Sequence, residues 1–239
     1  MNIKSLIMTC GLAVCLLAQP AVAGPFEDGI VAIKDGDYET ALKIFRPLAD
    51  EGNAGAQCNI GSIYESNVDM QNYTEAAKWY REAADQGNQC GQYGLGRIYF
   101  DGHGVPQDYA EALKWYRLAA DQGEATSQSN LGFMYDQGQG VLQDHAEALK
   151  WYRLAADQGK AYAQYNLGLM YAKGNGVQQD YIQAHMWWNL AAASFPASGS
   201  KNRDVAEKHS DEVAAKMIPE QIAEAQRLAR EWLAAHPRK

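Results

Sequence analysis

The chain has 239 residues, 47% of them hydrophobic, with 21 Lys+Arg against 29 Asp+Glu and a formal net charge of −8. An acidic surface repels phosphate backbones, and no Lys/Arg cluster forms a local basic stripe, so the composition argues against nucleic-acid partners. Beyond the N-terminal segment no apolar stretch is long enough to span a bilayer, so no membrane span is expected in the mature chain.

The N-terminus has the pattern of a secretory signal peptide. Lys4 supplies a positive start, Leu6 to Ala18 an apolar run, and Ala21-Val22-Ala23 a small-residue cleavage site. Residues 1–23 are therefore expected to be removed, with cutting after Ala23 and delivery to the periplasm or the exterior. The residues before Cys10 and Cys15 are Thr9 and Val14, not the small residue that precedes a lipid-anchored cysteine. Residues 24–53 are read as N-terminal capping helices. The phrase A-L-K-I-F-R-P-L-A-D-E-G at 41–52 is a divergent copy of a phrase that recurs downstream.

Residues 54–194 form four units. Trp79, Trp115, Trp151 and Trp187 fall 36 residues apart, and A-L-K-W-Y-R-L-A-A-D-Q-G occurs at 112–123 and again at 148–159. A fixed period of this size marks an array in which each unit buries its apolar face only by stacking on its neighbours. Each unit carries two helical patterns. In the first helix of the last unit, Ala163, Leu167 and Tyr171 make a buried stripe at four-residue spacing, with Gln164 and Gly168 beside it. Glycine inside a helix costs about 1 kcal/mol relative to alanine. Its recurrence at 61, 96, 132 and 168 predicts that a neighbouring helix comes too close for a side chain. Asp108, Asp144 and Asp180 are placed to cap the second helices, and Gly87, Gly123 and Gly159 to end them. The G-x-G elements at 102–104, 138–140 and 174–176 supply the turns. The first unit departs from this plan, with a linker one residue shorter and no G-x-G. The pairs Trp79-Tyr80, Trp115-Tyr116 and Trp151-Tyr152 are read as packing groups for the seam between units.

After 194 the period breaks. A Pro/Gly/Ser linker leads to a helical pattern from Arg203 to Met217, and Pro219 opens a second. Residues 195–239 are read as C-terminal capping helices, which the end of a stack requires.

The frame A-x-A-Q-Y-N-L-G-L-M-Y-A-K-G-N-G-V at 161–177, followed by D-Y and W-W-N-L-A-A-A, closely resembles the Sel1-like repeat family, helix-turn-helix repeats related to tetratricopeptide repeats. The tail M-I-P-E-Q-I-A-E-A-Q at 217–226 is similar to the closing segment of its bacterial members. The resemblance implies an all-α fold, a right-handed α-solenoid with helical caps, whose concave face acts as an adaptor for proteins or peptides. Exported bacterial members include regulators of envelope signalling, polysaccharide-export components and host-interaction factors. A cysteine-rich branch is associated with penicillin binding and weak β-lactamase activity, but it carries cysteine pairs at short spacing within its repeats, and this chain does not.

Chemistry-bearing motifs are few. His103, His145, His185, His209 and His236 show neither the i, i+4 spacing of a helical metal site nor a neighbouring ligand motif. D-G-H-G-V-P-Q-D at 101–108 lacks the terminal bidentate Glu of a calcium loop. There is no nucleophile elbow, phosphate loop or paired-carboxylate constellation, so no cofactor, metal or catalytic residue is expected. Cys58 and Cys90 remain after the signal segment leaves. The repeat register places them on first helices of adjacent units, about one turn out of step. Helices pack roughly 8–10 Å apart, whereas a bridge needs Cα atoms within about 7 Å. Two outcomes stay open, a staple between units and two separately buried thiols.

Selectivity should reside where otherwise matching first helices differ. With the stripe through 163, 167 and 171 buried, the other faces supply Asn59, Asn130 and Asn166, then Tyr93, Tyr165, Arg97, Phe133, Leu169 and Phe100. Asn can bond a peptide backbone through both its amide and its carbonyl, and Tyr, Phe and Arg are frequent interface anchors. Each residue taken singly either meets a partner or packs on the next repeat; as a set they form the candidate groove. The reading is an exported, non-catalytic scaffold for a protein or peptide. Its alternatives are an envelope enzyme of the β-lactamase or penicillin-binding type, which rests on analogy alone, and a polysaccharide-binding module. If the repeated tryptophans hold the seam, Trp115→Ala should lose roughly 3–5 kcal/mol of stability. Thermal denaturation measures this, and an unchanged midpoint would remove Trp115 from the packing.

Overall fold

The computed structural model describes residues 24–196, 198 and 200–237; the signal segment expected at 1–23 lies outside the described residues. These residues form twelve α-helices and no strand. Helices α1 (Pro25–Lys34) and α2 (Tyr38–Asp50) precede four helix pairs. The pairs are α3 (Ala54–Ser66) with α4 (Tyr73–Asp85), α5 (Gln89–Asp101) with α6 (Tyr109–Asp121), α7 (Ala125–Gln137) with α8 (His145–Asp157), and α9 (Ala161–Lys173) with α10 (Tyr181–Ser194). Helices α11 (Ser200–Ala214) and α12 (Pro219–Ala235) both pack on α10. Each of α1 to α10 packs on the next in chain order. In addition α3 touches α5 and α7 touches α9, a closeness that successive second helices do not reach. The stack therefore curves with the first helices on its inner side, as a right-handed α-solenoid.

The caps follow the sequence pattern. The Asp108 carboxylate accepts from the Ala110 and Glu111 backbone N–H groups at 2.9 and 3.1 Å, and Asp144 and Asp180 repeat the arrangement. The first helices are capped by Asn53, Asn88 and Glu124, whereas Lys160 makes no side-chain cap at the start of α9. The second glycine of each G-x-G element has positive φ and lies against the N-terminus of the preceding unit's second helix. A Cβ on Gly104 would stand 2.6 Å from the Thr74 nitrogen, a contact that no side chain survives.

The helix-internal glycines are, as expected, points where a neighbouring helix leaves no room for a side chain. What approaches Gly61, Gly96, Gly132 and Gly168 is an aromatic ring from the second helix of the same unit. A Cβ at these positions would lie 2.8, 2.6, 2.6 and 2.5 Å from Tyr80, Tyr116, Tyr152 and Trp188 respectively. These rings, which follow the repeated tryptophans, are the buried members of the aromatic pairs. Trp115 and Trp187 are also buried, while Trp79 and Trp151 are half-exposed.

Two hydrogen-bond ladders join successive units. Arg81 donates to the Tyr99 hydroxyl at 2.6 Å and lies 4.9 Å from the Trp115 ring centre, and Arg117 does the same with Tyr135 and Trp151. Arg46–Tyr64 and Arg153–Tyr171 complete the series. The second ladder is made of glutamines. Gln57, Gln128 and Gln164, each buried, donate to the carbonyls of Ala49, Ala120 and Ala156. The oxygens of Gln57, Gln92 and Gln128 accept from Gln86, Gln122 and Gln158 at 2.7–2.8 Å. Repetition of buried, paired amides fixes the register of one unit on the next.

Cys58 and Cys90 are joined by a disulfide with Cα atoms 6.1 Å apart. Gly91 and Gly94 stand where other units carry Ala or Ser and Asn, and they let α5 lie close on α4. A Cβ at either would come within 2.6 Å of Ala83 or of the Tyr80 ring. Closing a loop of this length contributes roughly 3–4 kcal/mol on the chain-entropy account.

The backbone at Lys160 (φ −70°, ψ 110°) matches that at the capped Asn53 (φ −67°, ψ 105°). Lys160→Asn should therefore restore a cap to α9 and add about 1 kcal/mol, read as a rise in the thermal midpoint.

Candidate functional site: a slot between the first helices of two units

On the inner side, α5 places Tyr93, Arg97 and Phe100 at intervals of four and three residues, so all three share one face. Helix α7 answers with Asn130 and Phe133, and with Thr126 one turn earlier. These residues enclose a cavity of about 240 Å³ with Tyr116 of α6 at its base and Asp101 at its edge. Phe100 meets Phe133 edge-on at 6.2 Å and 63°, and lies 6.3 Å from Tyr116. Tyr93 lies 6.2 Å from Tyr116. Phe133 remains 38% exposed, so an aromatic edge is presented to whatever enters the slot.

The polar side of the slot depends on a buried ion pair. Glu65, at the end of α3, is 7% exposed and pairs with Arg97. The same carboxylate accepts from the Tyr80 hydroxyl at 2.7 Å. The Arg97 guanidinium also lies 5.7 Å from the Tyr93 ring centre. Burial opposes the charge on Arg97, yet the Glu65 carboxylate outweighs it and raises its pKa. Burial pushes the Tyr116 phenol up, with Tyr93 and Asp101 adding to the rise, while Arg97 and a hydrogen bond with Asn130 oppose it. Burial likewise raises Tyr93. Both phenols stay neutral across physiological pH and act as hydrogen-bonding groups. Among the described residues no cluster of three His, Cys, Asp or Glu could hold a metal ion, and no histidine lines the slot.

Five of the residues singled out from the repeat register, Tyr93, Arg97, Phe100, Asn130 and Phe133, thus share one cavity. The others do not join them. Asn59 lies one unit earlier and spends its amide donor on the Gly55 carbonyl of its own helix at 3.0 Å. Tyr165 faces His209 of α11 at 5.7 Å, and its carbonyl accepts from the Trp188 indole. Leu169 packs against the C-terminal core, and Asn166 is half-buried on α9. Glu65, Asp101, Tyr116 and Thr126 were not singled out. Glu65 was within reach of the repeat comparison, because its counterparts are Phe100, Asp136 and Ala172, just as those of Arg97 are Ser62, Phe133 and Leu169. Two opposite charges departing from the pattern on neighbouring helices are a pairing signal.

Residues 54–88, 91–124, 125–160 and 161–194 each match the Sel1 repeat. The chain belongs to the Sel1 repeat family. Its fold is similar to that of c5321, a protective antigen present in uropathogenic Escherichia coli strains and displaying an SLR fold. That likeness has a TM-score of 0.76 at 32% identity over 89% of this chain and 45% of the other. This chain therefore spans less than half of that antigen. A Sel1 repeat protein from Oxalobacter formigenes is similar over 89% of this chain and 98% of its own, at 28% identity and a TM-score of 0.66. A Sel1 repeat protein from Klebsiella pneumoniae shares the fold at 21% identity and a TM-score of 0.52, over 80% and 91% of the two chains. No curated protein matches the chain.

The two halves of the ion pair should not be equivalent. Arg97→Ala leaves the Glu65 carboxylate buried without its counter-charge, at an expected cost of about 3 kcal/mol. Glu65→Gln keeps an acceptor for Tyr80 and frees Arg97 towards solvent, costing about 1 kcal/mol. Urea unfolding of the two variants checks the order, which a purely steric role for the pair would not produce.

Proposed function

We propose that this Sel1 repeat protein is an exported, non-catalytic scaffold. It binds an extended segment of another protein in the slot between α5 and α7, in envelope regulation or in contact with a host. The observation that carries this reading is a division of labour between positions. Most of those repeated between units are consumed by packing and ladders, whereas Arg97, Phe100 and Phe133, which vary between units, line one cavity on the inner face beside Asn130. Phe100 and Phe133 suit an apolar or aromatic side chain. The Asn130 amide suits a peptide backbone, and Arg97 a carboxylate at its exposed edge. A cavity of this size takes one side chain, with the rest of a peptide following the inner face.

Export is supported by the N-terminal pattern and by the Cys58–Cys90 bridge, which persists in an oxidising compartment. Among the described residues no helix is long and apolar enough to cross a membrane. The protective-antigen description of the Escherichia coli relative is consistent with a surface or secreted setting. The test is cross-linking in intact envelopes followed by recovery of the chain. The native protein should bring down a discrete partner, and a variant carrying Asn130→Ala with Phe133→Ala should lose at least nine-tenths of it at unchanged helicity. Equal recovery by the variant would place the interaction elsewhere. A chromogenic β-lactam should show no turnover with either protein.

A further inference from the structure

The carboxylate at the end of α3 finds its counter-charge within the chain, since Glu65 pairs with Arg97 from the first helix of the next unit. The repeat register carries these two positions along the array. Position 65 recurs as 100 and 136, and position 97 as 133 and 169. In the step from α5 to α7 both are phenylalanine, and Phe100 meets Phe133 edge-on across the slot. In the step from α7 to α9 the acid returns as Asp136, but the position that would answer it is Leu169.

The structure places Asp136 as the register requires. Phe100 packs edge-on against Tyr109, the first residue of α6, and Asp136 meets His145, the first residue of α8, at 2.8 Å. Burial raises the Tyr152 phenol and the Asp136 carboxylate adds to the rise, as Glu65 does for Tyr80. The Asp136 side chain stays 22% exposed. Its second oxygen accepts from the neutral Gln137 amide at 2.8 Å, and the His145 ring carries a charge only when protonated. Among the described residues no Lys or Arg forms an ion pair with it. Two exposed rings flank this step, Phe133 on α7 and Tyr162 on α9. Tyr162 stands where Thr126 stands in the slot, and Asn202 and Phe195 hold its ring in place. A carboxylate without a fixed counter-charge, between exposed aromatic rings, suits a guanidinium.

Building on the reading of the α5–α7 slot as a peptide site, we propose a second site on the inner face, at the step from α7 to α9. There an arginine of the same partner segment takes the place opposite Asp136 that Arg97 holds opposite Glu65. First helices packed roughly 10 Å apart put the two sites about three residues apart on an extended chain, which rises about 3.3 Å per residue.

The probes are acetyl-Phe-Gly-Gly-Arg-amide, its reversal acetyl-Arg-Gly-Gly-Phe-amide, and the same two with norleucine in place of arginine. Titrated into the ¹⁵N-labelled full chain, the arginine peptide of one orientation should shift the side-chain amides of both Asn130 and Asn166. It should bind at least ten-fold more tightly than its norleucine form. A peptide with phenylalanine and arginine adjacent carries the same charge at the wrong spacing, and should bind no better than the norleucine form. Asp136→Asn should bring the arginine peptide down to the norleucine level and leave the norleucine peptide as it is. If that variant fails to fold, the wrongly spaced peptide decides the question on the native chain. Shifts of Asn130 with equal affinity for arginine and norleucine overturn the second site alone. So does an arginine preference that survives in folded Asp136→Asn or at the wrong spacing. No shift of Asn130 with any peptide overturns the reading of the slot, and this inference with it.

Discussion

The structure depends on the insertion of one aromatic ring per unit against a helix-internal glycine. Tyr80, Tyr116, Tyr152 and Trp188 each occupy the space a Cβ would take on Gly61, Gly96, Gly132 or Gly168. The ring fills the gap within a helix pair, and so sets the distance from which every other contact is measured. It also imposes a polar requirement, because a buried phenol needs a partner. Tyr80 is answered by Glu65 of its own unit, and in the last unit the Trp188 indole by the Tyr165 carbonyl, while Tyr116 lines the slot together with Asn130 of the next unit. These answers lie on the first helices, at or beside the inner face. The core therefore delivers polar groups to the concave surface, and the character of the slot is partly a consequence of how the core is satisfied.

This is why the fold was legible in the sequence to a much greater depth than the site. The packed stripe, present in four units, and the capping aspartates and terminating glycines, present three times each, are local signals that reappear in the structure. The glycines were recognised as points where a neighbouring helix comes close, but sequence spacing does not say that an aromatic ring makes the contact or which helix supplies it. The site is harder to read because it depends on distances between units. Tyr93, Arg97, Phe100, Asn130 and Phe133 converge because α5 and α7 are adjacent. Tyr165 and Leu169 occupy equivalent positions, yet they border the C-terminal helices and the core there. A repeat register treats all units alike; the ends of an array do not.

The cysteine bridge shows the same limit from the other side. Average helix spacing left the pairing undecided, and the structure brings the two cysteines together between α3 and α5, with α5 close on α4 where Gly91 and Gly94 remove two side chains. Cys58 and Glu65 are seven residues apart on α3, and Cys90 and Arg97 are seven apart on α5, two helical turns in each case. The disulfide and the ion pair are therefore two rungs between the same parallel helices, one covalent near the start and one ionic near the end. A single tie leaves a helix free to pivot, whereas two ties separated by two turns do not. The wall of the slot that carries Tyr93 and Arg97 is the most firmly held first helix in the array, and α7, with the exposed Phe133, forms the wall that is held by packing and ladder contacts alone. On the proposed function, Arg97 would present its charge from the doubly tied helix, and Asn130 and Phe133 would meet the partner from the opposite wall.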